Sequence, residues 1–274
     1  MNCQVCQKEL APGVTACPNC GHSVAPAPYH DASVASVVTP GSVSAGSAIG
    51  QGFRLWFSNF VFVTKIILVV WLPIEVIKNY LIYAAGAQDS PGLFRIEGLL
   101  AEFVGTLVTA AMLFGVVETI RTGKNPSVRD CYRWGMSRWG IMIAATVGAG
   151  LQIILGLVLL VIPGLIFWTW YALVEQVVVV ESVSAKDALR RSRELSKGHR
   201  LKLVGFGAFF LFYAILVFFG GGMAIGIHEA WWTAALMDCI FDVALVLPNI
   251  VLLVFYLQLQ QQAGITLDAK AASA

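Results

Sequence analysis

Four cysteines near the N-terminus, Cys3, Cys6, Cys17 and Cys20, carry the most specific chemistry in this chain of 274 residues. They form two C-x2-C pairs with ten residues between them. Each pair puts two thiolates on one tight turn, and four thiolates close a tetrahedral zinc site with no open position. Such a site is structural, because about twenty residues bury almost no core and the metal must supply the folding energy. Gly13 and Gly21 suit the turns of a zinc ribbon over residues 1–22. Iron in a rubredoxin-like site is the chemical alternative. A disulfide pair would need an oxidising compartment and a secretory leader, and a redox C-x-x-C would sit beside a βαβ pattern; neither context is expected here. His22 reads as a solvated side chain, since four sulfurs already complete the site. Residues 1–22 hold one cation, Lys8, beside Glu9, and no aromatic residue. That is not the footprint of a nucleic-acid reader, so the ribbon is expected to contact protein.

A second group of residues is chemical by virtue of where it falls. Glu75, Lys78, Glu175, Asp238 and Asp242 lie inside apolar runs, where ionisable groups are costly and mark function or pairing. Glu75 and Lys78 are spaced to pair on one helical face. Asp238 and Asp242 share a face, with Asn249 two turns further. A transporter could use Glu175 and Asp242 as proton or cation sites with Lys78 as a switching partner. The plainer reading has these groups paired, or near water at span ends as for Asp238 and Glu102. Catalytic motifs are missing. The four histidines, His22, His30, His199 and His228, have no metal-pair spacing, and no P-loop, G-x-S-x-G or G-x-G-x-x-G is present. No enzyme is expected.

The elements that must position these residues are membrane helices. The chain is 58% hydrophobic and 12% charged, half the charge of an average soluble domain. Six apolar runs, near 60–83, 99–120, 140–162, 165–180, 203–225 and 235–259, are long enough to cross a bilayer. The predicted fold is an all-α polytopic membrane protein. Pro163 and Gly164 separate the third and fourth runs and predict a tight hairpin. Pro73 and Pro248 also interrupt spans. Trp168, Trp170 and Tyr171 are expected to anchor the outer end of the short fourth span. Residues 23–50, rich in Ala, Ser, Val, Pro and Gly, read as a flexible linker, with the membrane domain over 51–262 and a tail over 263–274.

Cations set the orientation. Arg121, Lys124, Arg129, Arg133 and Arg138 lie in one loop region, and Lys186, Arg190, Arg191, Arg193, Lys197, Arg200 and Lys202 in another. The loops of opposite sidedness hold Arg95 alone. The positive-inside rule then puts both basic regions, the ribbon and the C-terminus in the cytoplasm, where thiolates stay free for metal. A short pattern recurs before the odd-numbered spans: Gln51-Gly52-Phe53-Arg54, Asp130-Cys131-Tyr132-Arg133 and Asp187-Ala188-Leu189-Arg190, each followed by a serine, Ser58, Ser137 or Ser196. Three units are expected, each an amphipathic helix followed by two spans. The third helix should lie in the interface with its cations on anionic lipid headgroups.

The stretch Ile162-Pro163-Gly164, the apolar run from Val177 ending at Glu181, and the helix Asp187-Ala188-Leu189-Arg190-Arg191-Ser192-Arg193-Glu194-Leu195 with Gly198 and Arg200 together resemble a known pattern. It is that of the membrane domain of some bacterial glycerophosphodiester phosphodiesterases and of related stand-alone inner-membrane proteins, with Arg193 where that family often has an aromatic residue. The N-terminal segment resembles the double-cysteine zinc ribbons fused to bacterial membrane proteins. The resemblance implies a helical inner-membrane domain but no phosphodiesterase activity, because the catalytic barrel of those enzymes has no counterpart here. The sequence reading is a non-enzymatic membrane scaffold or regulatory component, with a secondary transporter as the alternative.

Overall fold

The computed structural model describes residues 43–86, 91–225 and 230–271, with the side chains of 91–101, 161, 221–225 and 263–271 left aside. The described residues are helical, with no strand among them. In chain order the helices are α1 (Ala45–Ser58), α2 (Phe60–Ala84), α3 (Pro91–Thr122), α4 (Val128–Leu159), α5 (Val161–Tyr171), α6 (Val174–Glu181), α7 (Ala185–Ser196), α8 (Arg200–Ile225), α9 (Trp231–Leu245) and α10 (Leu247–Ala271). Six stretches are long and apolar enough to cross a membrane: Phe60–Ala84, Glu102–Thr122, Val128–Leu159, Ile162–Glu181, Arg200–Gly220 and Trp231–Gln262. That is the make-up of a multi-pass membrane protein.

Burial sorts the six into two sets. The first, third and fifth keep 28%, 22% and 11% of their apolar stretch inside the protein, whereas the second, fourth and sixth keep 56%, 50% and 61%. The inner set converges on three segments that pack on one another, the second half of α3, all of α6 and the first half of α10. Their side chains, among them Met112, Leu113, Val177, Ile250, Leu253 and Phe255, are fully buried. Around them lie α1, the start of α4, and α7. Each packs on the inner segment of the preceding unit: α4 on α3, α7 on α6 and, closing the ring, α1 on α10.

The sequence repeat is the register of that ring. Gly52, Cys131 and Ala188 are buried, the next residues Phe53, Tyr132 and Leu189 half-buried, and Arg54, Arg133 and Arg190 exposed. A β-carbon on Gly52 would come within 2.6 Å of a Val251 methyl and 2.9 Å of its Cα, so only glycine permits that contact. Ser58, Ser137 and Ser196 each donate to the carbonyl three residues back. Two of the helices open identically: Ser127 and Ser184 cap α4 and α7 by accepting from the backbone of Asp130 and Asp187, whose carboxylates accept the serine hydroxyls. The expected three separate amphipathic helices are found for the first and third units. In the second unit the helix runs straight into its span as α4, since no residue between 128 and 159 breaks it.

Breaks occur elsewhere than expected. The α4–α5 reversal is at Leu160, in extended conformation (φ −166°, ψ 152°), while Pro163 sits in the first turn of α5, where its missing N–H is not needed. Gly164 serves a different purpose: Gly156 and Gly164 bring the two backbones together, a β-carbon on Gly156 lying 2.9 Å from Gly164 Cα. The fourth and sixth spans are each broken in two, at Ala172-Leu173 and at Val246. Pro248 cannot donate to the Ala244 carbonyl four residues back, and Tyr213 of α8 donates to that oxygen instead at 3.1 Å. At the other break Ser192 of α7 donates to the Trp170 carbonyl at 2.8 Å. α1 begins at Ala45, inside the stretch read as linker: Ala48 is fully buried, and the small residues that look like a tether are what let the helix seat closely on α10.

Candidate functional site

The predicted zinc ligands Cys3, Cys6, Cys17 and Cys20 lie outside the described residues, and no group of three or more His, Cys, Asp or Glu placed to hold a metal exists among the described ones. Cys131 and Cys239 are free and buried. Cys131 serves as a small packing residue, its sulfur against Gly115 of α3.

The basic helix α7 is built by its cap and its small-residue face. Ala188, Ser192 and Ser196 point inward and are fully buried, which leaves Lys186, Arg190, Arg193 and Lys197 exposed. Arg190 pairs with Asp187 at 3.0 Å. Arg193 and Arg200 converge on Trp170, their guanidinium carbons 4.0 and 5.4 Å from the ring centre. Trp170 therefore does not anchor the outer end of its span as expected. Because α5 has only 11 residues before the chain breaks, its aromatic end has already reached the basic helix. Tyr171 is buried and donates to Gln152 at 2.6 Å, and Trp168 packs on Gly207 of α8.

Arg191 departs from the expected lipid-facing set. It turns inward, its Nε 3.0 Å from a Glu181 oxygen that also accepts from Tyr256 at 2.9 Å and Gln260 at 3.2 Å. Arg138 of α4 donates to the carbonyl of the next residue, Ser182, whose φ of 53° makes the α6–α7 corner. This node ties α4, α6, α7 and α10 at one end of the bundle. Sequence reasoning missed it, although Tyr256 and Gln260 stand at i, i+4 spacing in an otherwise apolar run. At the same end Lys202 donates to the Val43 carbonyl at 2.6 Å, and Gln258 donates to Ser47 at 3.1 Å. His199, at the α7–α8 junction, has its imidazole edge against Phe255 and a buried Nδ1. Burial first, and the Lys202 charge second, hold its pKa below the ordinary 6.5.

Of the ionisable residues within the spans, three come together. Lys78 bridges Glu75, one turn back on α2, and Asp238 of α9, whose Oδ2 is 3.0 Å away. Asn79 donates to the same Asp238 oxygen at 2.9 Å. Asp242 lies one turn further along α9. Glu175 stands apart on α6, half-buried, with Glu102 of α3 as the charge it feels. Its neighbour Gln176 is buried and reaches the Asn249 carbonyl at 3.5 Å, joining the starts of the two inner half-helices.

Comparison of the chain with family profiles, with curated proteins and with solved structures finds no match.

Proposed function

We propose that this protein is a non-enzymatic scaffold or regulatory component of a bacterial inner membrane. In this reading a cytoplasmic ribbon, closed by structural zinc on Cys3, Cys6, Cys17 and Cys20, binds a protein partner, and the basic faces of the helical ring hold anionic headgroups. One observation carries it. Val43, the first described residue, is tied by Lys202 to the end of the bundle that carries α7 and the basic α3–α4 connection. In this reading the ribbon works on the side that carries the basic surface, which the positive-inside rule assigns to the cytoplasm. The pairing of Lys78 with both Glu75 and Asp238 supports a structural role for those groups.

The test is crosslinking and affinity capture from native membranes, comparing the intact chain with a Cys17→Ser/Cys20→Ser variant. A partner held by the intact ribbon and lost with the broken one is the expected result. Equal capture by both, with the variant still folded, would sink the adaptor reading.

The carrier reading keeps one supporting observation: Glu175 stands at a broken helix with another acid, Glu102, as its electrostatic neighbour. In proteoliposomes a carrier would show proton or cation flux lost in Glu175→Gln. Absence of any flux from intact protein would discard it.

A further inference from the structure

We propose that Trp170, Arg193 and Arg200 form a discrete seat for the phosphate of an anionic phospholipid. The seat rests on the reading above that this end of the molecule faces anionic headgroups.

The argument begins with charge. Other arginines of this region are matched: Arg190 with Asp187, and Arg191 with Glu181 and Glu194. No acid pairs with Arg193 or Arg200 among the described residues. Yet both guanidiniums are drawn onto one indole, at 4.0 and 5.4 Å. Stacking on an aromatic face leaves the edge N–H groups of arginine free to grip an anion, and two guanidiniums on one indole offer such groups from two sides of one spot. The indole adds a donor, because Trp170 Nε1 is buried and has no hydrogen-bond partner among the described residues. A buried donor without an acceptor calls for a group that supplies one. Ser192 on the Trp170 carbonyl fixes the backbone beneath the indole.

The surroundings decide between a lipid and a soluble anion. One turn back from Trp170, Leu165 and Ile166 are 48% and 38% exposed, and beside Arg200, Leu201 and Val204 are 86% and 43% exposed. α5 and α8 pack against each other, so the helices that carry Trp170 and Arg200 also carry exposed apolar side chains next along the span. A phosphate at the arginines with acyl chains along α5 and α8 satisfies both halves of the site. A free anion satisfies only one.

Purified protein would be examined by native mass spectrometry with phosphatidylglycerol or phosphatidylcholine. The variants are Arg193→Gln/Arg200→Gln and a charge-matched control, Lys186→Gln/Lys197→Gln, on the same helix. Intact protein should keep one phosphatidylglycerol preferentially. The site variant should lose it by about tenfold or more beyond the control, because only Arg193 and Arg200 are placed to give charge-assisted hydrogen bonds to one phosphate. The control removes the same amount of charge and should show only the smaller loss that a diffuse basic surface gives. Equal loss in both variants would overturn the seat while leaving a diffuse basic surface, and no preference for phosphatidylglycerol in intact protein would overturn both. Inorganic phosphate displacing the lipid at millimolar concentration would make it a soluble-anion site and also overturn the proposal. Should the double variant fail to fold, Trp170→Phe keeps the ring and removes the N–H. It is expected to weaken retention several-fold, and unchanged retention would count against the seat.

Discussion

At the scale of single residues, most of the consequences come from contacts with no slack. Gly52 is the sharpest case. Its α-carbon faces the Val251 backbone, so Gly52→Val must push α1 off α10. Overpacking of this kind costs about 1–3 kcal/mol, and a thermal-unfolding curve in detergent should show the loss. Ala188, at the matching place in α7, is already larger than glycine and should tolerate Gly with a smaller effect. His199 makes a second residue-level prediction. Its folded pKa lies below 6.5, so the unfolded chain takes up the proton first as pH falls, and stability is lost on going below 6.5. Above that value both states are neutral and the group contributes no slope. The difference in unfolding temperature between intact protein and His199→Gln should therefore change between about pH 7 and pH 5.5 and be flat above it. The small residues of the repeat were legible in the sequence because they share positions. His199 was not, because nothing local says that a histidine after a glycine turn will meet Phe255 from α10.

At the scale of elements, the question is how broken and charged helices are made tolerable inside an apolar body. Lys78 is the hinge of the α2–α9 contact: it is 17% exposed, and it faces Glu75 at 6% and Asp238 at 32%. Lys78→Met would leave two carboxylates facing each other with only Asn79 between them. Breaking a buried pair by removing one partner costs about 3–5 kcal/mol. Lys78→Met should accordingly reduce the yield of folded protein, and adding Glu75→Gln and Asp238→Asn should restore most of it. If the single variant folds as well as the parent, the triad is not structural and a transport role gains weight. The breaks follow the same logic. A carbonyl freed in a membrane needs a donor, and Tyr213 and Ser192 supply one at the two breaks. Helix existence and type were readable from apolar length, and five of the six expected spans match the observed ones closely in place. The breaks were harder to read. Pro163 looks like a turn but starts a helix, and the chain breaks at Ala172-Leu173 without a proline, where packing of α7 on α5 outweighs local preference. The pairing of Glu75 with Lys78 followed from spacing alone. Asp238 joined them through tertiary contact, which no spacing encodes.

At the scale of the whole molecule, the ring must be closed by its own N-terminal helix. The second and third units rest on inner helices that precede them in the chain, whereas α1, the first of the described helices, packs on α10. That contact joins the two ends of the described fold, through Gly52 on Val251 and Gln258 on Ser47, and Lys202 of α8 adds a bond to Val43. Composition put the boundary of the membrane domain at 51, because Ala, Gly and Ser in 43–50 look like linker. The fold starts α1 at Ala45 with Val43 already hydrogen-bonded, and the two placements can be told apart. A chain lacking residues 1–42 keeps all of α1 and should unfold at the same temperature as the full chain, with loss only of whatever the ribbon contributes to partner capture and zinc content. A chain lacking residues 1–50 loses the buried Ala48, the Ser47 and Val43 hydrogen bonds and the first half of α1. It should unfold roughly 5 °C lower or more, at about 2–4 °C per kcal/mol for chains of this size. Equal stability of the two truncations would mean that α1 docks without closing anything, and the threefold ring would reduce to two packed units with an appendage. A drop already present on removing 1–42 would mean that the ribbon itself bears on the bundle, and the scaffold would then be sensitive to zinc occupancy across its whole fold.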